Sequence, residues 1–161
     1  MKLFEDIVLT DSIEIKTTPE KMFEFFRGIV DDESYQAWHP EDHVSFLWVK
    51  GGPWEKDSVG YAEEYLHGKL HKLRFLVTDV VPNRRIEFVP LSRILRLYFP
   101  GNTFEFIPGE DTCTFKASGR MRVGRLARFF ARKQLEKGLE SVRKHMEEEG
   151  ENLKRILEKA V

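Results

Sequence analysis

With 161 residues, 41 % of them apolar, the chain has the length and core material of one domain. Charged residues reach 33 % yet nearly cancel, to a formal net charge of −1, which argues against the basic footprint of a nucleic-acid binder. One cysteine excludes an internal disulfide and points to a reducing compartment. No stretch approaches the roughly 18 apolar residues of a membrane span, and charge within Met1–Asp6 does not read as a signal peptide. A single cytoplasmic domain over residues 1–161, with no membrane or nucleic-acid partner, is the expectation.

In chain order, residues 2–17 read as a strand, in which polar and apolar residues roughly alternate over Leu9–Ile15 except at Asp11–Ser12. Thr17-Thr18-Pro19-Glu20 is a helix start: Thr18 caps, Pro19 takes the first helical position and Glu20 suits the first turn. That helix runs to about Gly28, and Asp31–Trp38 forms a second short one. Strands follow over Val44–Val49, Val59–Leu66, Leu70–Val81, Arg85–Val89, Ile94–Phe99, Thr103–Ile107 and Thr112–Val123, punctuated by Gly, Pro and Asn turns. Arg125 to about Lys159 is expected as one long helix. This order predicts an α+β fold, a curved antiparallel sheet of about six or seven strands curling around the long C-terminal helix. Thirteen Phe, four Tyr and three Trp suggest bulky walls or a cavity lined with rings.

The order of elements, with Ile13-Glu14-Ile15 leading into Thr17–Phe23 and the pair of strands around Val77–Phe88, resembles the SRPBCC superfamily. That is the helix-grip group of START domains, polyketide cyclases and birch-pollen-allergen-like proteins. The resemblance implies the helix-grip fold and, for function, a binder, cyclase or hydrolase of small molecules. Two motifs narrow it. Trp38-His39-Pro40-Glu41-Asp42-His43 precedes the second strand, and His145-Met146-Glu147-Glu148-Glu149 lies on the last helix. Both are similar to the metal-dependent hydrolases of phloretin and diacetylphloroglucinol. Those enzymes cleave a bond between an aromatic ring and an acyl group. The resemblance implies zinc held by a His before the sheet, a Glu on a strand and a His-x-x-x-Glu pair on the last helix.

The residues themselves are compatible with that. Leu135, Leu139, Val142, Met146, Leu153 and Leu157 form one apolar stripe on the last helix. At about 100° per residue, Glu149 falls roughly 50° from its centre and His145 about 90°, at its edge. A carboxylate in a core-facing stripe is costly unless paired or bound to a cation. Either His39 or His43 could approach from the loop before the sheet. On Val59–His67, alternation puts Glu64 with Ala62 and Leu66, so Glu64 is the expected inward carboxylate and Glu63 the alternative. The expected ligand set is His39, Glu64, His145 and Glu149, around Zn²⁺, with Fe²⁺ or Mn²⁺ compatible. His43 and His71, the latter in phase with Leu73, Phe75 and Val77, are the candidate proton donors.

Cys113 reads as a small buried residue. Arg120, Arg122, Arg125, Arg128, Arg132 and Lys133 cluster around the start of the last helix, as a solvated face or a contact for an anionic ligand or partner. Two functions follow: a metal-dependent hydrolase of an aromatic ketone or acyl-phenol, or a non-catalytic or cyclase-like binder of a hydrophobic or aromatic small molecule.

Overall fold

The computed structural model describes residues 2–159. Its elements are strand β1 (Phe4–Ile15), helices α1 (Pro19–Arg27) and α2 (Asp32–Trp38), strands β2 (His43–Lys50), β3 (Val59–Leu66), β4 (Lys69–Val81) and β5 (Arg85–Pro90), helix α3 (Arg93–Tyr98), strands β6 (Gly101–Pro108) and β7 (Cys113–Gly124), and helices α4 (Arg125–Phe130) and α5 (Arg132–Lys159). All seven strands join one antiparallel sheet in the order β1-β7-β6-β5-β4-β3-β2. The curved sheet and long terminal helix are the helix-grip architecture expected from the sequence.

Local chemistry sets the first elements. Thr18 accepts the Lys21 amide at 3.2 Å, with Pro19 at the first helical position of α1. Asp31 and Ser34 close a reciprocal cap on α2. The β3–β4 turn places His67 (φ 54°) and Gly68 (φ 71°) in the left-handed region that a two-residue hairpin demands.

Two expectations are corrected. Ile94–Phe99 is not a strand: Arg93–Tyr98 is helical, capped by the Ser92 hydroxyl, which accepts the Leu95 amide, and β5 pairs directly with β6. The terminal helix is two helices, parted at Ala131 (φ −112°, ψ 29°). α4 is tied to the sheet, where the Arg125 amide donates to the Leu3 carbonyl and Arg128 pairs with Glu5. α5 instead follows the packing of β1 and α2. The first strand is continuous as expected, all twelve residues of β1 pairing with β7.

The core is a set of interlocked rings. Phe26 is fully buried and lies 5.2–6.3 Å from Phe25, Trp38, Trp54, Phe104, Phe106 and Phe115. At this end the aromatic residues fill the grip. Leu135, Leu139 and Val142 on α5 and Met121 on the sheet are only partly buried, while the partly buried Phe75 and Phe88 pack on Trp54 and extend the ring cluster. Gly60 on β3 lets the Phe75 ring lie flat across it, because a Cβ there would fall inside the ring. Gly60→Ala is therefore expected to cost about 1–3 kcal/mol through overpacking. A thermal melt checks this, and an unchanged midpoint would contradict it.

Candidate metal centre

Three histidines and four carboxylates converge where α2, the start of β2, β3 and α5 meet. His39 is the C-terminal cap of α2, and His43 begins β2 four residues later, joined back by its amide to the His39 carbonyl at 2.9 Å. β2 and β3 pair His43 with Glu64, so both side chains share one face. α5 is drawn in by Trp38, whose indole N–H donates to the Glu149 carbonyl at 3.1 Å. His145, one turn before Glu149, is buried and points inward as expected.

Backbone partners fix the tautomers of two rings. The Asp42 amide donates to His39 Nδ1 at 3.1 Å, so the His39 proton lies on Nε2, which donates to Glu148 Oε2 at 2.8 Å. Both nitrogens of His39 are satisfied. His43 Nδ1 faces the Tyr35 carbonyl at 3.0 Å and must donate to it, which turns Nε2 toward the carboxylates. That atom is buried without a hydrogen-bond partner, 3.3 Å from Glu149 Oε2 and 3.7 Å from Glu64 Oε2. His145 Nδ1 faces Asp42 Oδ2 at 3.0 Å, while its Nε2 lies 3.2 Å from Glu149 Oε1 and 3.6 Å from Glu64 Oε2. Glu64 also accepts the Tyr35 hydroxyl at 2.7 Å, and the Tyr35 ring stacks on His43 at 3.8 Å between centroids.

Among the described residues, potential ligand atoms of His43, Glu64 and His145 lie within 4.8 Å of one another, as do those of His39, Asp42 and His145. Of the sequence candidates, Glu64, His145 and Glu149 are thus brought together. The imidazole that joins them is His43, the alternative to His39 in the sequence. His39 sits one ring away, stacked on His145 at 5.1 Å and engaged with Glu148. His71 pairs with Glu64 across the β3–β4 ladder and shares its face, but it is exposed. Glu63 turns to the opposite face, toward Tyr61 and Lys72. Sequence reasoning missed Tyr35, Asp42 and Glu148. Asp42 and Glu148 stand inside the two quoted motifs, yet nothing in their spacing separates them from solvated acids.

The donor set fits a divalent cation: nitrogens of His43 and His145 converge with a Glu64 oxygen, Glu149 lies 3.2–3.3 Å from both rings, and His43 Nε2 is buried with no hydrogen-bond partner. Without a metal, a proton fills the role. Burial alone would push His145 down, but Glu149, Glu64 and Asp42 outweigh it and hold the imidazole up at about 10. Burial alone would push Glu64 up, but His145, His43 and Tyr35 bring it down to about 2. The sign of the pH dependence follows. The Glu64 contribution is present above its ordinary 4.5 and is lost as pH falls toward 2. The His145 contribution is present below 6.5 and is lost as pH rises toward 10. The metal-free protein should therefore be most stable between about pH 4.5 and 6.5. Melts in chelator across the pH range test this, and a maximum at or above pH 9 would contradict it.

A family model described as polyketide cyclase/dehydrase and lipid transport matches residues 6–158. No curated protein matches the chain. Among solved structures, truncated norcoclaurine synthase from Thalictrum flavum aligns with a TM-score of 0.69 at 11 % identity, over 97 % of this chain and 96 % of that one. The same enzyme in complex with dopamine and hydroxybenzaldehyde aligns at 0.62 and 13 % identity, over 91 % and 89 %. The Aha1 dimer from Colwellia psychrerythraea aligns at 0.62 and 16 % identity, over 94 % and 96 %. At these identities the likeness is one of fold.

Proposed function

The chain belongs to the polyketide cyclase/dehydrase and lipid transport family, whose members bind small hydrophobic molecules, and from that premise we propose that it is a metal-dependent hydrolase of an aromatic ketone or acyl-phenol. The observation that carries the reading is the bare, buried Nε2 of His43 facing Glu149, Glu64 and the His145 ring. His43, Glu64, His145 and Glu149 would hold zinc, with Fe²⁺ or Mn²⁺ as chemically compatible occupants. Bound there, zinc would supply the Lewis acidity that polarises a carbonyl and activates water.

The chain's own groups do the rest. Asp42 holds the His145 proton on Nδ1 and so turns Nε2 inward. The Tyr35 carbonyl does the same for His43. The Tyr35 phenol is pushed well above 10, by burial first and then by Glu64 and Glu149, so it stays protonated and orients Glu64. The half-buried apolar faces of α5 and the sheet would take the aromatic ring. His71, exposed on the same face as Glu64, is the proposed donor of the proton that the ring carbon takes as the acyl group leaves with the hydroxyl of water.

Zinc at 100 times its Kd should stabilise the protein by about 2.7 kcal/mol. For a chain of this size that is a rise in melting temperature of roughly 5–11 °C. Trace metal in the purified protein, together with an unchanged melt in zinc, would remove the hydrolase reading. The second reading is a metal-independent binder or cyclase-like protein, favoured by the family description and the half-buried apolar faces. It requires ligand binding to survive in a His145→Ala/Glu149→Ala double variant.

A further inference from the structure

The basic cluster around α4 plays no part in the metal centre. Between Asp111 and Glu136 the chain carries seven basic residues and no acidic one. Between Glu87 and Glu105 it carries two arginines and again no acid. In a protein of net charge −1 this is a local segregation of charge. The two stretches meet in space: α3 and α4 both pack against β7, and Gly101, just past α3, pairs with Arg120, shortly before α4 begins.

Neither helix buries a single residue. Their apolar side chains face outward instead: Ile94 is 70 % exposed, Leu97 60 %, Leu126 73 %, Phe129 77 % and Phe130 80 %. Large apolar groups so exposed, on two short neighbouring helices, are not core residues displaced at random. The helices are nonetheless well anchored. Arg96 donates from Nε to the Pro90 carbonyl at 2.7 Å and from Nη2 to the Leu91 carbonyl at 3.2 Å. Arg128 is held by Glu5, and Arg132 by Glu136 at 3.0 Å. Arg93, Arg125 and Lys133 have no acidic partner among the described residues.

Exposed Phe and Leu set among unpaired cations match one kind of surface, an apolar layer beneath anionic headgroups. We infer that the α3–α4 end of the molecule docks on anionic lipid bilayers. Phe129, Phe130, Leu126 and Leu97 enter the headgroup–acyl boundary, while Arg93, Arg125 and Lys133 meet the lipid phosphates and carboxylates. Leu135 and Leu139 of α5 line a surface cavity together with Arg125, Arg128 and Phe129, so docking sets that hollow against the bilayer. The inference does not depend on the metal centre.

The test is co-sedimentation of the full chain with vesicles of phosphatidylcholine alone and of phosphatidylcholine mixed with phosphatidylserine. Binding is expected to the mixed vesicles and to weaken as salt is raised. Arg125→Ala/Lys133→Ala should lower partitioning roughly 25-fold, at about fivefold per cation. Phe129→Ser/Phe130→Ser should also abolish most of it. Circular dichroism confirms that these surface variants keep the fold. Absence of binding to the mixed vesicles at low salt would overturn the inference. So would equal binding by parent and variants. A dimer that forms on this face, is lost in Phe129→Ser/Phe130→Ser and coexists with no vesicle binding would overturn it in favour of a second copy.

Discussion

Replacing His145 with alanine is expected to lower zinc affinity by roughly 100-fold or more, because loss of even an outer-shell partner costs about 10–100-fold. The larger effect follows from the position of the ring. Its Nε2 faces two carboxylates, at 3.2 Å in Glu149 and 3.6 Å in Glu64, and no other described imidazole can take its place. His39 has both nitrogens engaged, by the Asp42 amide and by Glu148. His43→Ala should match the loss at His145, since its bare Nε2 is the second nitrogen of the set. His39→Ala should fall well short of both. Asp42→Asn is the intermediate case, because the amide can no longer hold the His145 proton on Nδ1 as a carboxylate does. Isothermal titration with zinc orders the four variants. Equal affinities for parent and His145→Ala would end the argument for this centre, and a loss at His39 greater than at His43 would relocate it.

What the sequence could reveal of this site divides along the range of the interactions involved. Alternation along a strand is a local rule, so Glu64 could be told from Glu63 without knowing what lay opposite. The four-residue spacing of His145 and Glu149 is equally local. His39 and His43 differ in no local property: both sit in one short segment, and only the partners they meet, the Asp42 amide and Glu148 for one and the Tyr35 carbonyl for the other, decide which ring keeps a nitrogen without a hydrogen-bond partner. The depth to which His145 is buried is not local: Asp42 faces its Nδ1 from 103 residues away, and Trp38 bonds to the Glu149 carbonyl across 111 residues. The same division holds for the fold. Thr18-Pro19 and Asp31 carry their caps in sequence, and those helices were legible. Ile94–Phe99 has too few residues for a period, so an apolar run there suits strand or helix until the Ser92 cap and the direct β5–β6 pairing exclude the strand. No Pro or Gly marks Ala131. The helix breaks there because α4 is bound to β1 through Leu3 and Glu5 while α5 takes another path. Asp11, where the alternation of β1 lapses in sequence, faces α5 near Gly150. Its carboxyl is raised there by partial burial and by Glu147 and Glu151.

Phe26→Ala should produce the largest loss of stability, about 3–5 kcal/mol for a buried Phe truncated to Ala. At roughly 2–4 °C per kcal/mol for a domain of this size, the melting temperature falls by about 6–20 °C. The ring is fully buried between α1 and the sheet and touches six other aromatic rings, so the surroundings cannot collapse into the space without moving several rigid groups at once. Phe26→Leu leaves a smaller void and should lose clearly less. The consequence reaches the metal centre through one residue. Trp38 packs on Phe26 at 5.2 Å, lies 5.0 Å from the His43 ring and donates to the Glu149 carbonyl. A cavity at Phe26 frees that indole, and with it both the imidazole before β2 and the turn of α5 that carries the carboxylate. Zinc affinity should therefore fall in Phe26→Ala although the substituted side chain touches no ligand. Calorimetry and zinc titration on the same sample test the link. A protein destabilised by several kcal/mol with parental zinc affinity would show that the ligands are held by α5 and β3 alone, without the aromatic core behind them.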